Sequence, residues 1–311
     1  MTSFSTITLS PSVDINLTLT GPLCSDAVHL VADEKSLPGG KGLNVAKVLA
    51  THGCDVTAGG LLGFDNADLF EQELARLKIR DRFVRIPGMT RNNIMIHDGK
   101  AEYKINRRAF PNLDYETSLI NGVVSQAVGQ ASVVILNGSL PYRFPDTTYE
   151  HIITPLKAMR RTVVFDSSGE ALRHGIAATP HIIKPNRVEC GYLLGETLST
   201  PEDMVRACER LAPHHEVVIL SDGPRGCYFA SCGEVYHVTV PDIPIIDTTA
   251  AGDMLLAEFC FRYFPNRQLT HEVMTYATAM GVAAVECLGC ECPCLERVEG
   301  IVGEMRVERK N

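Results

Sequence analysis

The sequence predicts an α/β fold, with a mostly parallel central sheet covered by helices on both faces and a small β-sheet lid. Three observations predict it. From residue 114 onward, continuous apolar runs such as Val133–Leu136, Thr162–Phe165 and Val217–Leu220 alternate with segments of helical length. Strands that are apolar throughout are buried on both sides, as in a parallel sheet between helix layers. Each run ends in a polar or glycine-containing loop, the place where such sheets bind ligands. Finally, Asp98-Gly99 lies between Asn92–Ile96 and Ala101–Asn106, a hairpin signal that breaks the alternation.

In chain order, Thr6–Leu9 and Ile15–Leu19 alternate like half-buried strands around Ser10-Pro11-Ser12. Asp14 begins the second and reads either as a turn carboxylate or as a ligand for sugar hydroxyls. Pro38-Gly39-Gly40-Lys41-Gly42 then opens the amphipathic helix Leu43–Ala50. Such a turn lets backbone approach a small ligand closely, with Lys41 as a point charge. Its spacing, and the missing Lys-Ser/Thr pair, separate it from a nucleotide P-loop. Val56–Gly63 reads as a strand, Ala67–Leu77 as a helix and Phe83–Ile86 as a short strand. The Asp98-Gly99 hairpin reads as a flap; paired with the second strand it would cover the cleft, so the lid comprises segments of about 12–35 and 88–110. Arg91, Lys104, Arg107 and Arg108 make this region basic. They read either as a solvated edge or, through Arg91, as a substrate-phosphate contact. Helices Tyr115–Gln130, 146–160 and 201–212 follow, and a further one carries Glu189 after Ile182–Asn186. No repeat or linker interrupts the chain, so 1–311 reads as one domain with a lid.

The chain has 311 residues, a net charge of −8 and a pI near 5.7, which excludes a nucleic-acid or anionic-membrane surface. The first nine residues lack a basic n-region and a sustained apolar core, and no apolar run is long enough to span a bilayer. Eleven cysteines, odd in number and mostly scattered, suit a reducing compartment, so the expected location is cytoplasmic. Cys287, Cys290, Cys292 and Cys294 are clustered. Their spacing is not a standard zinc pattern, which favours free or buried thiols over a soft-metal site.

The chemistry is expected at Asp247-Thr248-Thr249-Ala250-Ala251-Gly252-Asp253. Pro241 and Pro244 hold the preceding Val240–Ile246 out of any helix, and an apolar run of helical length follows. Thr248 and Thr249 suit capping, and the free amides of a helix start can hold a phosphate. A carboxylate is unwelcome there unless it takes a proton from a hydroxyl while those amides hold phosphoryl charge. The alternative is that Asp253 merely complements the helix dipole.

Six segments together resemble the PfkB (ribokinase-like) carbohydrate kinases, in particular their hexose-phosphate branch. They are Pro38–Ala46, Thr90–Asn93, Asn137–Pro141, Asp166–Leu172, Lys184–Glu189 and Asp247–Asp253, in the family's order and over nearly the whole chain. The resemblance implies a ribokinase-like fold and an ATP- and Mg²⁺-dependent phosphotransferase. It implies Asp253 as general base, with the amides of Ala250, Ala251 and Gly252 as the anion hole. It places Asp14, Gly39, Gly40 and Asn44 at the sugar hydroxyls, and Lys41, Arg91 and Ser139 at the substrate phosphate or the phosphoryl path. Lys184, Asn186, Ser221, Gly223 and Gly226 would bind nucleotide, and Glu189 with Asn186 would order Mg²⁺ through water.

The chain departs from the family at Ala250, usually Gly; at Ser10, usually Asn; at Arg107-Arg108-Ala109, usually Glu-Pro-Gly; and at Gly289-Cys290-Glu291, where Gly-Thr is common. Two cations, Lys41 and Arg91, argue for an acceptor already bearing a phosphate. The expected substrate is fructose 1-phosphate, converted to fructose 1,6-bisphosphate. Tagatose 6-phosphate or fructose 6-phosphate is the alternative, and a non-catalytic sugar-phosphate-binding protein or a nucleoside or ribose kinase is the rival reading. The partners are expected to be the sugar phosphate and ATP, with no nucleic acid or membrane, and self-association is expected through the lid edge.

Overall fold

The computed structural model describes residues 2–310. The first half contains β1 (Ser3–Thr8), β2 (Ser12–Leu19), β3 (Val31–Gly39), α1 (Lys41–Thr51), β4 (Asp55–Gly63), α2 (Asp68–Arg76) and β5 (Arg80–Ile86). It continues through β6 (Arg91–His97), β7 (Glu102–Ile105), α3 (Thr117–Val128), β8 (Val133–Asn137) and α4 (Thr148–Ala158). The second half runs through β9 (Thr162–Asp166), α5 (Gly169–Ala177), β10 (Ile182–Ile183), α6 (Arg187–Leu194) and α7 (Pro201–Leu211). It ends with β11 (Val217–Ser221), β12 (Cys227–Ser231), β13 (Glu234–Thr239), α8 (Ala251–Tyr263), α9 (His271–Ala284), α10 (Leu295–Val302) and β14 (Arg306–Lys310).

Ten strands form the main sheet in the order β14-β13-β12-β11-β10-β9-β8-β1-β4-β5. The seven from β11 to β5 are parallel, and the last three at the other edge are antiparallel. The two-residue period of a strand sends Val133 and Ile135 into one core layer and Val134 and Leu136 into the other. Helices α1, α8 and α9 cover the first layer; α3, α4 and α5 cover the second. This is why the central runs carry no polar alternation.

The lid is a four-stranded sheet in the order β3-β2-β6-β7. The predicted hairpin is β6–β7, and β6 pairs with β2 in parallel, Asp14 opposite Asn93. Four residues, Asp98 to Ala101, connect the paired His97 and Glu102, a longer loop than the two residues of a tight hairpin. Asp98 organises that longer loop, accepting from the Lys100 and Ala101 amides at 2.8 and 2.7 Å, and from the Leu23 amide of the β2–β3 connection at 2.9 Å.

Candidate active site

The start of α8 corrects one expectation. Neither Thr248 nor Thr249 caps the helix; the cap residue is Ala250, in the left-handed region at φ 61°. Asp247 is the cause. Its Oδ1 accepts the Thr249 amide at 2.8 Å, curling the chain so that both threonine hydroxyls face Lys104 instead. The Asp253 and Met254 amides both return to Ala250 O at 2.9 Å. The amides of Ala250, Ala251 and Gly252 have no acceptor among the described residues, leaving three free donors at the positive end of a 13-residue helix.

Asp253 lies in the first turn of α8 and is 5% exposed. Burial pushes its carboxyl up to about 6; Asp166 adds to that, while Lys41, the Asn44 hydrogen bond and Lys184 oppose it. Asn44 Nδ2 donates to Asp253 Oδ2 at 2.9 Å, tying α1 directly to the acid. Lys41 donates to Asp166 Oδ2 at 3.1 Å, and Lys184 Nζ lies 3.5 Å from Asp166 Oδ1. Desolvation works against the Lys41 ammonium, but Asp166, Asp253 and Glu189 outweigh it and hold its pKa above the usual lysine range. Lys184 also sits against the free amides: a Cβ on Gly252 would come within 3.0 Å of its Nζ.

These groups meet in a polar cavity of about 560 Å³ lined by Asp14, Gly40, Lys41, Asn44, Arg91, Ser139, Lys184, Asn186, Glu189, Ser221, Ala250, Gly252 and Asp253. Gly39 lies behind Asp14, where a Cβ would come within 2.1 Å of Asp14 Oδ2. Asp14 itself accepts from Ser12 Oγ at 2.8 Å and Asn93 Nδ2 at 3.0 Å; burial still holds its pKa above the ordinary carboxylate value. Ser139 donates to Ser10 Oγ at 3.4 Å. Arg91 spends donors on three carbonyls, Arg107 O at 2.9 Å, Ser10 O at 3.2 Å and Pro11 O at 3.4 Å, while still facing the cavity.

A second, mainly apolar cavity of about 420 Å³ adjoins it, walled by Pro224, Pro241, Ile243, Ile245, Leu255, Val282 and Val285. Gly223, Gly226 and Ala251 also line this cavity. Asn186, Ser221, Thr248 and Gly252 line both, so the cavities join beside the free amides. Asn186 caps α6 in a reciprocal box: Glu189 N donates to Asn186 Oδ1 and Asn186 N to Glu189 Oε2, each at 2.9 Å.

Every expected site residue therefore lines one of the two cavities or, as with Gly39, abuts a residue that does. Lys41 already faces buried Asp166, so its charge by itself does not require a phosphorylated acceptor. Sequence reasoning did not single out Asp166 as a site residue, although a carboxylate ending the otherwise apolar β9 was a readable signal. Asn93 and Asn106 were also missed, as was the apolar wall, which is assembled from distant segments and leaves no local pattern.

Cavities at the carboxyl ends of parallel strands, an adjoining β-lid, and an acid at a helix start are the architecture of a sugar-phosphorylating enzyme. The chain belongs to the pfkB family carbohydrate kinases, whose model matches residues 8–297. A 1-phosphofructokinase of Vibrio cholerae serotype O1 is 32% identical over 286 residues, covering 91% of this chain and 90% of the relative. One from Rhodobacter capsulatus is 32% identical over 311 residues, covering 97% and 96%. Among solved structures, phosphofructokinase-2 from Escherichia coli in complex with substrates and products superposes with a TM-score of 0.89 over 98% of this chain and 99% of that one. At 22% identity, that likeness speaks to the fold alone. As a family member, the chain is a phosphotransferase acting on a sugar hydroxyl, with ATP as co-substrate.

Proposed function

We propose that this enzyme transfers the γ-phosphoryl group of ATP to the 6-hydroxyl of fructose 1-phosphate, giving fructose 1,6-bisphosphate and ADP. The observation that carries the reading is the position of Asp253, a buried carboxylate raised to about 6 beside three free amides where a polar cavity meets an apolar one. Adenine fits the apolar wall formed by Pro224, Ile243, Ile245 and Val285, and the sugar fits among Asp14, Asn44 and Asn93. The acceptor hydroxyl then lies next to Asp253. At neutral pH the carboxylate is mostly ionised, so it accepts the hydroxyl proton as the bond to phosphorus forms. The Ala250, Ala251 and Gly252 amides, with Lys41 and Lys184 on either side, stabilise charge on the transferring group. Asp166 holds those two ammonium groups in place. Arg91 and Ser139 hold the phosphate that the sugar already carries.

Mg²⁺ fits the donor set. Glu189 Oε1 has no protein partner among the described residues, and its residue lines the polar cavity near the junction. Hard oxygen donors reached through water suit this ion, and Asn186 stands beside it. When bound, Mg²⁺ neutralises charge on the nucleotide phosphates. The reading also takes the chain as one kinase domain with a lid that excludes water. It further places the enzyme in the cytoplasm, in keeping with eleven free cysteines, and takes it as a homodimer joined through the lid.

A coupled assay for ADP across ketohexose monophosphates tests the substrate. Fructose 1-phosphate should give the highest kcat/KM. A preference for tagatose 6-phosphate or fructose 6-phosphate would move the acceptor to the 1-hydroxyl, and tight binding without turnover would remove catalysis altogether.

A further inference from the structure

Lys104 crosses from the lid to the loop that carries the free amides. It sits on β7, opposite Met95 of β6, at the lid edge. Its ammonium donates to Asp247 Oδ1 at 3.1 Å, Thr249 Oγ1 at 3.2 Å and Thr248 Oγ1 at 3.4 Å, and pairs with Glu102 Oε1 at 2.9 Å. A second strand of the lid joins in, since Thr249 Oγ1 lies 3.3 Å from Met95 Sδ.

Asp247 is the node beneath these contacts. It is fully buried, and Lys104 is its cationic partner. Its Oδ1 also accepts the Thr249 amide, and its Oδ2 accepts the Gly289 amide at 2.8 Å. A buried carboxylate deprived of its cation is costly and rearranges or takes up a proton. The next residue after Thr249 is Ala250, where the run of three free amides begins. Any shift in the Asp247–Thr249 turn therefore moves those amides. Lys104 itself lines neither cavity.

We infer that Lys104 is a positioning residue that couples lid docking to the aim of the Ala250–Gly252 amides, so that the anion hole is complete only while the lid is down. This rests on the proposed role of those amides in phosphoryl transfer. It gives the lid a function beyond covering the sugar, because a lid that lifts also disarms the site that would otherwise pass phosphate to water.

The test compares the wild type with Lys104→Met, Lys104→Arg and Lys104→Ala, using ATP and fructose 1-phosphate, with thermal melting to verify that each variant folds. Lys104→Met should lower kcat by about 10- to 100-fold, the scale expected for misplaced catalytic groups. Both KM values should stay near those of the wild type, and ADP release should fall in step with bisphosphate formation, since a disarmed site passes phosphate to neither acceptor. Lys104→Arg should recover part of kcat. Added propylammonium should recover part of the activity of Lys104→Ala, which a purely structural loss would not allow. A folded Lys104→Met that keeps kcat, or that releases ADP in excess of bisphosphate, overturns the coupling alone, as does an alanine variant that propylammonium leaves unchanged. A wild type that phosphorylates no ketohexose monophosphate overturns the functional reading and the coupling together.

Discussion

As the proposed base, Asp253 would trade stability for chemistry. Its folded pKa of about 6 exceeds the unfolded value, so the folded state binds the proton more tightly than the unfolded one. Stability linked to this group is therefore complete below about pH 4 and is lost as pH rises toward 6. At neutral pH the ionised carboxylate costs the fold roughly 3 kcal/mol, from a shift of about two units. Asp253→Asn should thus be more stable than the wild type at pH 7, with the advantage vanishing near pH 4, while kcat falls by about 10²- to 10⁴-fold for loss of the base. Denaturation and turnover measured across pH check both signs; a neutral-pH destabilisation would contradict the burial account. The wild-type rate should fall about tenfold per pH unit below 6 and level off above it. Ala250 poses a different question. Its φ of 61° is costly for a residue with a Cβ, although its methyl packs at the edge of the core. Ala250→Gly should stabilise the protein by about 1 kcal/mol in denaturant unfolding and leave kcat at least as high, because the amide stays in place. The sequence showed that Ala stood where Gly is usual, but only the backbone reveals that the position needs positive φ.

The elements divide by whether their signal was local. The start of α1 was legible because Gly39 and Gly40 precede an amphipathic run, and the reason for Gly39 proves to be steric: any Cβ would strike Asp14 Oδ2. Gly39→Ala should therefore push Asp14 aside and raise the sugar-phosphate KM by about tenfold or more while sparing the ATP KM; equal effects on both would detach Gly39 from the sugar site. Strand β3 was not legible. Its first six residues, Val31 to Ser36, are exposed and include Asp33, Glu34 and Lys35, so no alternation survives to mark a strand. The β12–β13 hairpin was hidden for another reason. It turns through Cys232 and Gly233, both at positive φ, but Cys in the first place lacks the Asn or Asp that announces such a turn. The end of β9 shows the converse case, where Asp166 was quoted within a motif yet its role as the shared partner of Lys41 and Lys184 required three separate loops to be brought together.

At the scale of the whole molecule, the parallel sheet was readable because burial on both faces writes itself into every strand, whereas edges are written only weakly. The lid has such an edge in β3, beyond which no further strand pairs among the described residues. Beside it, Val28 is 93% exposed, Leu30 68% and Val31 46%, an unusual grouping of aliphatic side chains on an acidic protein. Asp33, Glu34 and Lys35 discourage indiscriminate edge pairing, but mixed charges on one strand can pair with their counterparts on a second copy running antiparallel. Each aliphatic side chain fully buried in such a contact contributes about 1.5–3 kcal/mol, enough for three of them to matter. Sedimentation should accordingly find a dimer, and Leu30→Glu should shift it toward monomer by placing an unpaired charge at the joint. A wild type that sediments as a monomer at micromolar concentration would leave these residues without a partner and confine the lid's action to its own cleft.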